Sequence, residues 1–179
     1  MGTEGDVFMY NSIIKKLLAG ILLAILLMAT TVSAFAATAQ YATTQTVMDY
    51  FDEIGIKYFY RGMDDSDKEC LSVSYSCDNY DSLNVILYFD PAEDEVNLRM
   101  WDIVTITAGK NYANSTVQQL NATYKYCKFV IDESDYTLRG EADLFIDKDN
   151  CGRPVYDAVR YMVAVVDDDG AAAMIHGLE

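Results

Sequence analysis

Asp147-Lys148-Asp149-Asn150-Cys151-Gly152 starts in the manner of a calcium loop, with carboxylates at the first and third positions and glycine at the sixth. The fifth position is Cys151 where an oxygen donor is needed, and the twelfth is Ala158 where a bidentate Glu is required, so the run does not specify calcium. Asp167-Asp168-Asp169 offers three more carboxylates, but consecutive helical residues point in three directions, and a solvated acidic helix end is the expectation. Such charges oppose the dipole at a helix C-terminus, which implies either a helix that runs on through Ala173 and Met174 or a bend at the acidic run. His176 is the single histidine, and a Ser/His/Asp or Cys/His apparatus built on it would depend on a chain end of the kind that ordinarily frays. No spacing of carboxylates marks an acid and base pair. Asn114-Ser115-Thr116 and Asn121-Ala122-Thr123 match the glycosylation pattern and read more simply as a helix cap and a helix residue. On these grounds no catalytic, cofactor-binding or metal-ligating residue is assigned.

The remaining reactive groups are four cysteines, Cys70, Cys77, Cys127 and Cys151. Cys70 and Cys77 bracket the alternating segment Leu71-Ser72-Val73-Ser74-Tyr75-Ser76, which sets them about 23 Å apart and on opposite faces of a strand, too far to bond to each other. Cys77 shares an apolar parity with Leu71, Val73 and Tyr75, as Cys127 does with Phe129 and Ile131, so a Cys77 to Cys127 disulfide is geometrically open. Four free, buried thiols are the alternative.

Compartment and partners follow from charge and from the first residues. Lys15-Lys16, an apolar run from Leu17 to Ala29, and small residues at Ala34 and Ala36 have the order of a secretory signal peptide, with cleavage expected after Ala36. Thr30, Thr31 and Ser33 interrupt the run before the roughly 20 apolar residues of a spanning helix; an uncleaved membrane anchor is the competing expectation. Glu4 and Asp6 are foreign to the positive start of a signal peptide, which suggests Met9 as an alternative start. Residues 37–179 then form one expected domain, and its net charge stays at −15, because the leader carries two basic and two acidic residues. Such a surface repels phosphate backbones and anionic lipid, so nucleic acid and, once the leader is removed, membrane are not expected partners, while a basic protein is.

Elements to position these groups can be read in order. Thr43 or Thr44 as cap, then Val47, Tyr50, Phe51 and Ile54 at helical spacing before Gly55, predict a first helix. Ile56 to Tyr60, Cys70 to Cys77, Leu83 to Phe89 and Val96 to Ile106 read as strands of an antiparallel meander, joined by aspartate-rich turns. Asn114 or Ser115 caps a second helix carrying Val117, Leu120 and Tyr124; Tyr126 to Asp132 and Tyr136 to Ile146 form a hairpin; Pro154 opens a last helix with Val155, Ala158, Val159, Met162, Val163 and Val166 on one face. The fold class is α+β, an antiparallel sheet with helices on one face, in the order α-β-β-β-β-α-β-β-α.

That order, with Met48-Asp49-Tyr50-Phe51-Asp52-Glu53-Ile54-Gly55-Ile56-Lys57-Tyr58 and Leu120-Asn121-Ala122-Thr123-Tyr124-Lys125-Tyr126-Cys127-Lys128-Phe129, resembles the YbjN-like family, whose fold is similar to type III secretion chaperones. The resemblance runs from about Val47 to Ile175 and implies a small non-enzymatic domain for binding or regulation, without handing over functional residues. Fourteen tyrosines should mostly pack the sheet, yet an exposed tyrosine-rich sheet face would also suit peptide or protein docking. Trp101 lies in a strand with apolar residues on both parities, as if part of it were covered twice, and a homodimer would do that. An exported binding or chaperone-like module is therefore the expected function. A small acidic hydrolase or metal-dependent enzyme, and a structural envelope component on an uncleaved anchor, are the competing expectations.

Overall fold

The computed structural model describes residues 38–179, and the signal-peptide reading of residues 1–36 falls outside them. Four helices are described, α1 (Ala42–Ile54), α2 (Lys110–Thr123), α3 (Gly152–Val166) and α4 (Asp169–His176). The strands are β1 (Phe59–Met63), β2 (Glu69–Tyr75), β3 (Leu83–Phe89), β4 (Glu95–Thr105), β5 (Lys128–Asp132) and β6 (Thr137–Phe145). All six join one antiparallel sheet with the helices on one face, as the sequence predicts, and the strand order is β1-β2-β3-β4-β6-β5. The hairpin inserts β6 beside β4 and leaves β5 at the edge.

Alternation explains the core. Leu71, Leu87 and Leu98 lie opposite one another across β2, β3 and β4, as do Val73 with Val85 and Phe89 with Val96, all on the helix side and all buried. Val47, Met48 and Phe51 of α1 and Val155, Val159, Met162 and Val166 of α3 close over them. Each such side chain contributes on the order of 1.5–3 kcal/mol by leaving water.

Element boundaries shift where a backbone group is engaged elsewhere. The first strand begins at Phe59 rather than Ile56, because the Ile56 amide donates to the Phe51 carbonyl at 2.8 Å around left-handed Gly55 (φ 74°) to close α1. β5 begins at Lys128 rather than Tyr126, since Tyr126 is left-handed at φ 66° and turns the chain out of the ladder. α2 begins at Lys110, a turn before Asn114 and Ser115, because the Leu178 carbonyl accepts the Thr107 and Ala108 amides at 2.9 and 3.0 Å and sets the chain for an earlier start. The last helical stretch bends at the acidic run into α3 and α4.

Thr43 and Thr44 are not caps; both lie inside α1 and are buried, and Tyr41 holds the cap position without a side-chain bond. Glutamates from elsewhere in the fold take up the free amides. Glu69 accepts from Gln40 N at 2.6 Å and Tyr41 N at 2.8 Å, and Glu93 from Thr43 N at 3.2 Å. The Tyr60 hydroxyl adds a third bond to Glu69 at 2.5 Å. Burial opposes ionisation of Glu69, which is fully enclosed, but the bonds from Tyr60, Gln40 and Tyr41 outweigh it and hold its pKa below the ordinary carboxylate value. That bond, then burial, pushes the Tyr60 phenol up to about 12.

Two expectations follow. The folded pKa of Glu69 lies below the unfolded one, so its stabilisation is complete above an unfolded value of about 4.3 and is lost as pH falls through the folded value. Urea titrations across that window should show a steep acid loss for the native chain and a shallower one for Glu69→Gln. At Gly152, where α3 meets α1, an added Cβ would stand 2.5 Å from Tyr50 Cβ and 3.3 Å from the Thr46 carbonyl oxygen. Gly152→Ala should cost about 1–3 kcal/mol in the same assay.

Candidate functional site

Among the described residues the helices leave the second face of the sheet uncovered, and strand register decides what stands on it. Ser72, Ile86, Arg99, Glu141 and Lys128 form one row across five strands; Cys70, Tyr88, Asn97 and Asp143 form the next. Arg99 bonds Asp143 at 2.8 Å; Arg139 bonds Asp132 at 2.8 Å and Glu141 at 2.7 Å. Asn97 bridges Lys68, Glu95 and Asp143. The Ser134 hydroxyl and amide, then Arg139, hold the Asp132 carboxyl below its usual range.

Trp101 stands at the middle of this face, 40% exposed. Between Met100 opposite Gly140 and Val104 opposite Leu138, β4 carries two more residues than β6, with Asp102 in the left-handed region at φ 52°. This bulge answers the double parity in β4: Ile103 swings back to the core side beside Gly140 and Met162, while Trp101 remains outside. No second subunit is needed to account for it. The indole N–H donates to the Tyr88 hydroxyl at 3.2 Å, and the Arg139 guanidinium lies 5.1 Å from the ring centroid. Trp101 is thus held in place while part of its ring stays open to solvent.

The tyrosines do not make this face. Tyr50, Tyr58, Tyr60, Tyr75, Tyr80, Tyr124 and Tyr136 pack against the core, and Tyr88 is the tyrosine beside Trp101. A lone tryptophan on a strand with mixed parity was the available signal for the site, and the bulge is the physical source of that mixed parity.

The other sequence candidates have structural tasks. In the calcium-like run, Asp147 accepts from Asp149 N at 3.1 Å, and Cys151 turns inward to donate to the Thr43 carbonyl. The acidic run supplies three separate acceptors. Asp167 takes the Asp78 and Asn79 amides at 3.0 and 2.8 Å, Asp168 caps α4 through the Gly170 and Ala171 amides, and Asp169 accepts from the Asn79 side chain at 3.2 Å. His176 does not fray: its ring stacks on Tyr80 at 5.0 Å and contacts Glu179 and the Asn79 carbonyl, and Leu178 beyond it is buried. Asn114 lies in exposed α2, whereas Asn121 bonds both backbone groups of Phe129 and so ties α2 to β5. Among the described residues no three His, Cys, Asp or Glu side chains gather as a metal site, and no helix is long and apolar enough to cross a membrane.

The Cys77 to Cys127 disulfide is overturned. All four thiols are free, and the strands beside Cys77 and Cys127 lie four spacings apart, about 19 Å, far beyond the roughly 7 Å that a disulfide spans. Burial raises every thiol, Cys127 to about 12 and Cys70 and Cys151 to about 11. Comparison with protein-family models, with curated proteins and with solved structures returns no match to this chain. Maleimide labelling of the native chain should reach half-buried Cys77 first, with Cys70, Cys127 and Cys151 reacting only after denaturant; fast native reaction at Cys127 would contradict this packing.

Proposed function

We propose that this chain is an exported, non-enzymatic, YbjN-like binding module, chaperone-like or regulatory, which docks a protein partner on the uncovered sheet face. The observation that carries the reading is Trp101, part-exposed and braced by Tyr88 and Arg139 on a face that no described helix covers. A rigid, half-open indole amid neutralised ion pairs is the kind of anchor that dominates binding energy at interfaces. The overall charge of −15 favours a basic partner through long-range attraction and opposes nucleic acid and anionic membrane. Against the enzymatic alternative, the perturbed groups all move away from neutrality: thiols and phenols upward, Glu69, Asp132 and Asp168 downward. General acid and base work needs the opposite.

The test is capture from the source cell's envelope and medium with the full-length chain and with Trp101→Ala, each in low and high salt. One stoichiometric, salt-sensitive partner is expected, with Trp101→Ala weakening it by about tenfold or more. Light scattering of the same samples reads self-association, so a partner that proves to be a second copy identifies the homodimer. No retained partner, or equal retention by Trp101→Ala, would sink the reading.

A further inference from the structure

The ladder between β5 and β6 stops at Lys128 opposite Glu141, whereas β6 continues to pair with β4 as far as Phe145 opposite Glu95. Among the described residues Ala142 to Phe145 therefore have a strand on one side only. The place beside them is vacated by Tyr126, whose left-handed backbone turns the chain away, a conformation unfavourable for any residue with a Cβ. Its ring is 84% exposed and rests edge-on to Tyr161 at 5.8 Å. Between this connection and β6 lies an open groove of about 520 Å³, whose lining includes Lys125, Tyr126, Lys128, Glu141 and Asp143.

Its charge runs against that of the whole chain. Arg99 pairs with Asp143, and Arg139 is shared between Glu141 and Asp132. Lys125 and Lys128 are exposed and form no ion pair among the described residues. Two lysines free of ion pairs thus stand at this groove in a chain of net charge −15.

We propose that the free edge of β6 at Ala142 to Phe145 accepts an extended acidic segment of a partner protein as an added strand. Backbone bonds to the edge would supply affinity, and alternate side chains specificity. Residues of the segment on the helix side meet half-buried Ala142 and Leu144; those on the uncovered side meet Lys128 and exposed Phe145. The fitting segment alternates apolar and acidic residues. This second surface rests on the protein-binding reading only in class, because it uses neither Trp101 nor a basic partner.

The probe is an acetylated octapeptide alternating valine with aspartate, and its control carries lysine for aspartate. With the full-length chain, the acidic probe should slow amide exchange within Ala142 to Phe145, bind about tenfold tighter than the control, and lose that preference in the surface double variant K125E/K128E. Equal binding of the two peptides, binding that leaves those amides unprotected, or no binding of either at millimolar concentration overturns the proposal. A failure of the peptide probe is distinct from a failure of the uncovered-face reading, which partner capture with Trp101→Ala reads separately.

Discussion

A fully buried carboxylate holds the first helix to the sheet. Glu69 lies at the start of β2 on the helix side, where an unpaired charge would cost several kcal/mol, and it persists there because Tyr60, Gln40 and Tyr41 each donate to it. Those bonds set where α1 begins, replace the cap that its own sequence fails to make, and fix β1 against β2 with Tyr60 opposite Leu71. Phe51 then reaches the Tyr58 and Tyr156 rings at 5.9 and 6.3 Å, closing the layer between α1, β1 and α3. The entry of the chain, the edge strand and the helix pair all converge on one side chain.

With every described helix on one face, the other face must satisfy itself. Arginines thread between carboxylates along β4, β5 and β6, so that charges stand paired on a surface that is only half wet. This face also carries Tyr88 and Phe145, and the bulge in β4 decides how Trp101 and Ile103 divide between the two faces. It adds residues without changing which face Leu98 and Val104 occupy, so the core layer continues past it while Trp101 stays outward.

The C-terminal segment shows how an acidic run becomes a joint. Three adjacent aspartates would burden a continuous helix end, but the chain breaks between Asp167 and Asp168, and each carboxylate then faces different amides. Asp167 clasps the loop after β2, Asp168 starts α4, and α4 brings Leu178 under the loop before α2. The last residues thereby help to order both the β2–β3 loop and the start of α2.

Period-two alternation in Leu71–Tyr75 and Leu83–Phe89, and the stripe from Val155 to Val166, were legible because each depends only on which side of one element is apolar. Those patterns were enough for the α+β class, the antiparallel sheet and the single helical layer. The glycine stop at Gly55 was legible too, since a left-handed residue is a local demand. The sequence pattern also marked β4 as anomalous through Trp101 without revealing why. Only the tertiary structure decided the insertion of β6 beside β4, the distance that forbids a Cys77 to Cys127 bond, the capping of α1 by Glu69, and the roles of Asp167 and Asp168. Each joins residues remote in the chain, and no local propensity or periodicity encodes which distant amide a carboxylate will meet. Glu69 shares parity with Leu71 and Val73, the one local hint that it points inward, but its partners exist only once the sheet and helix have met.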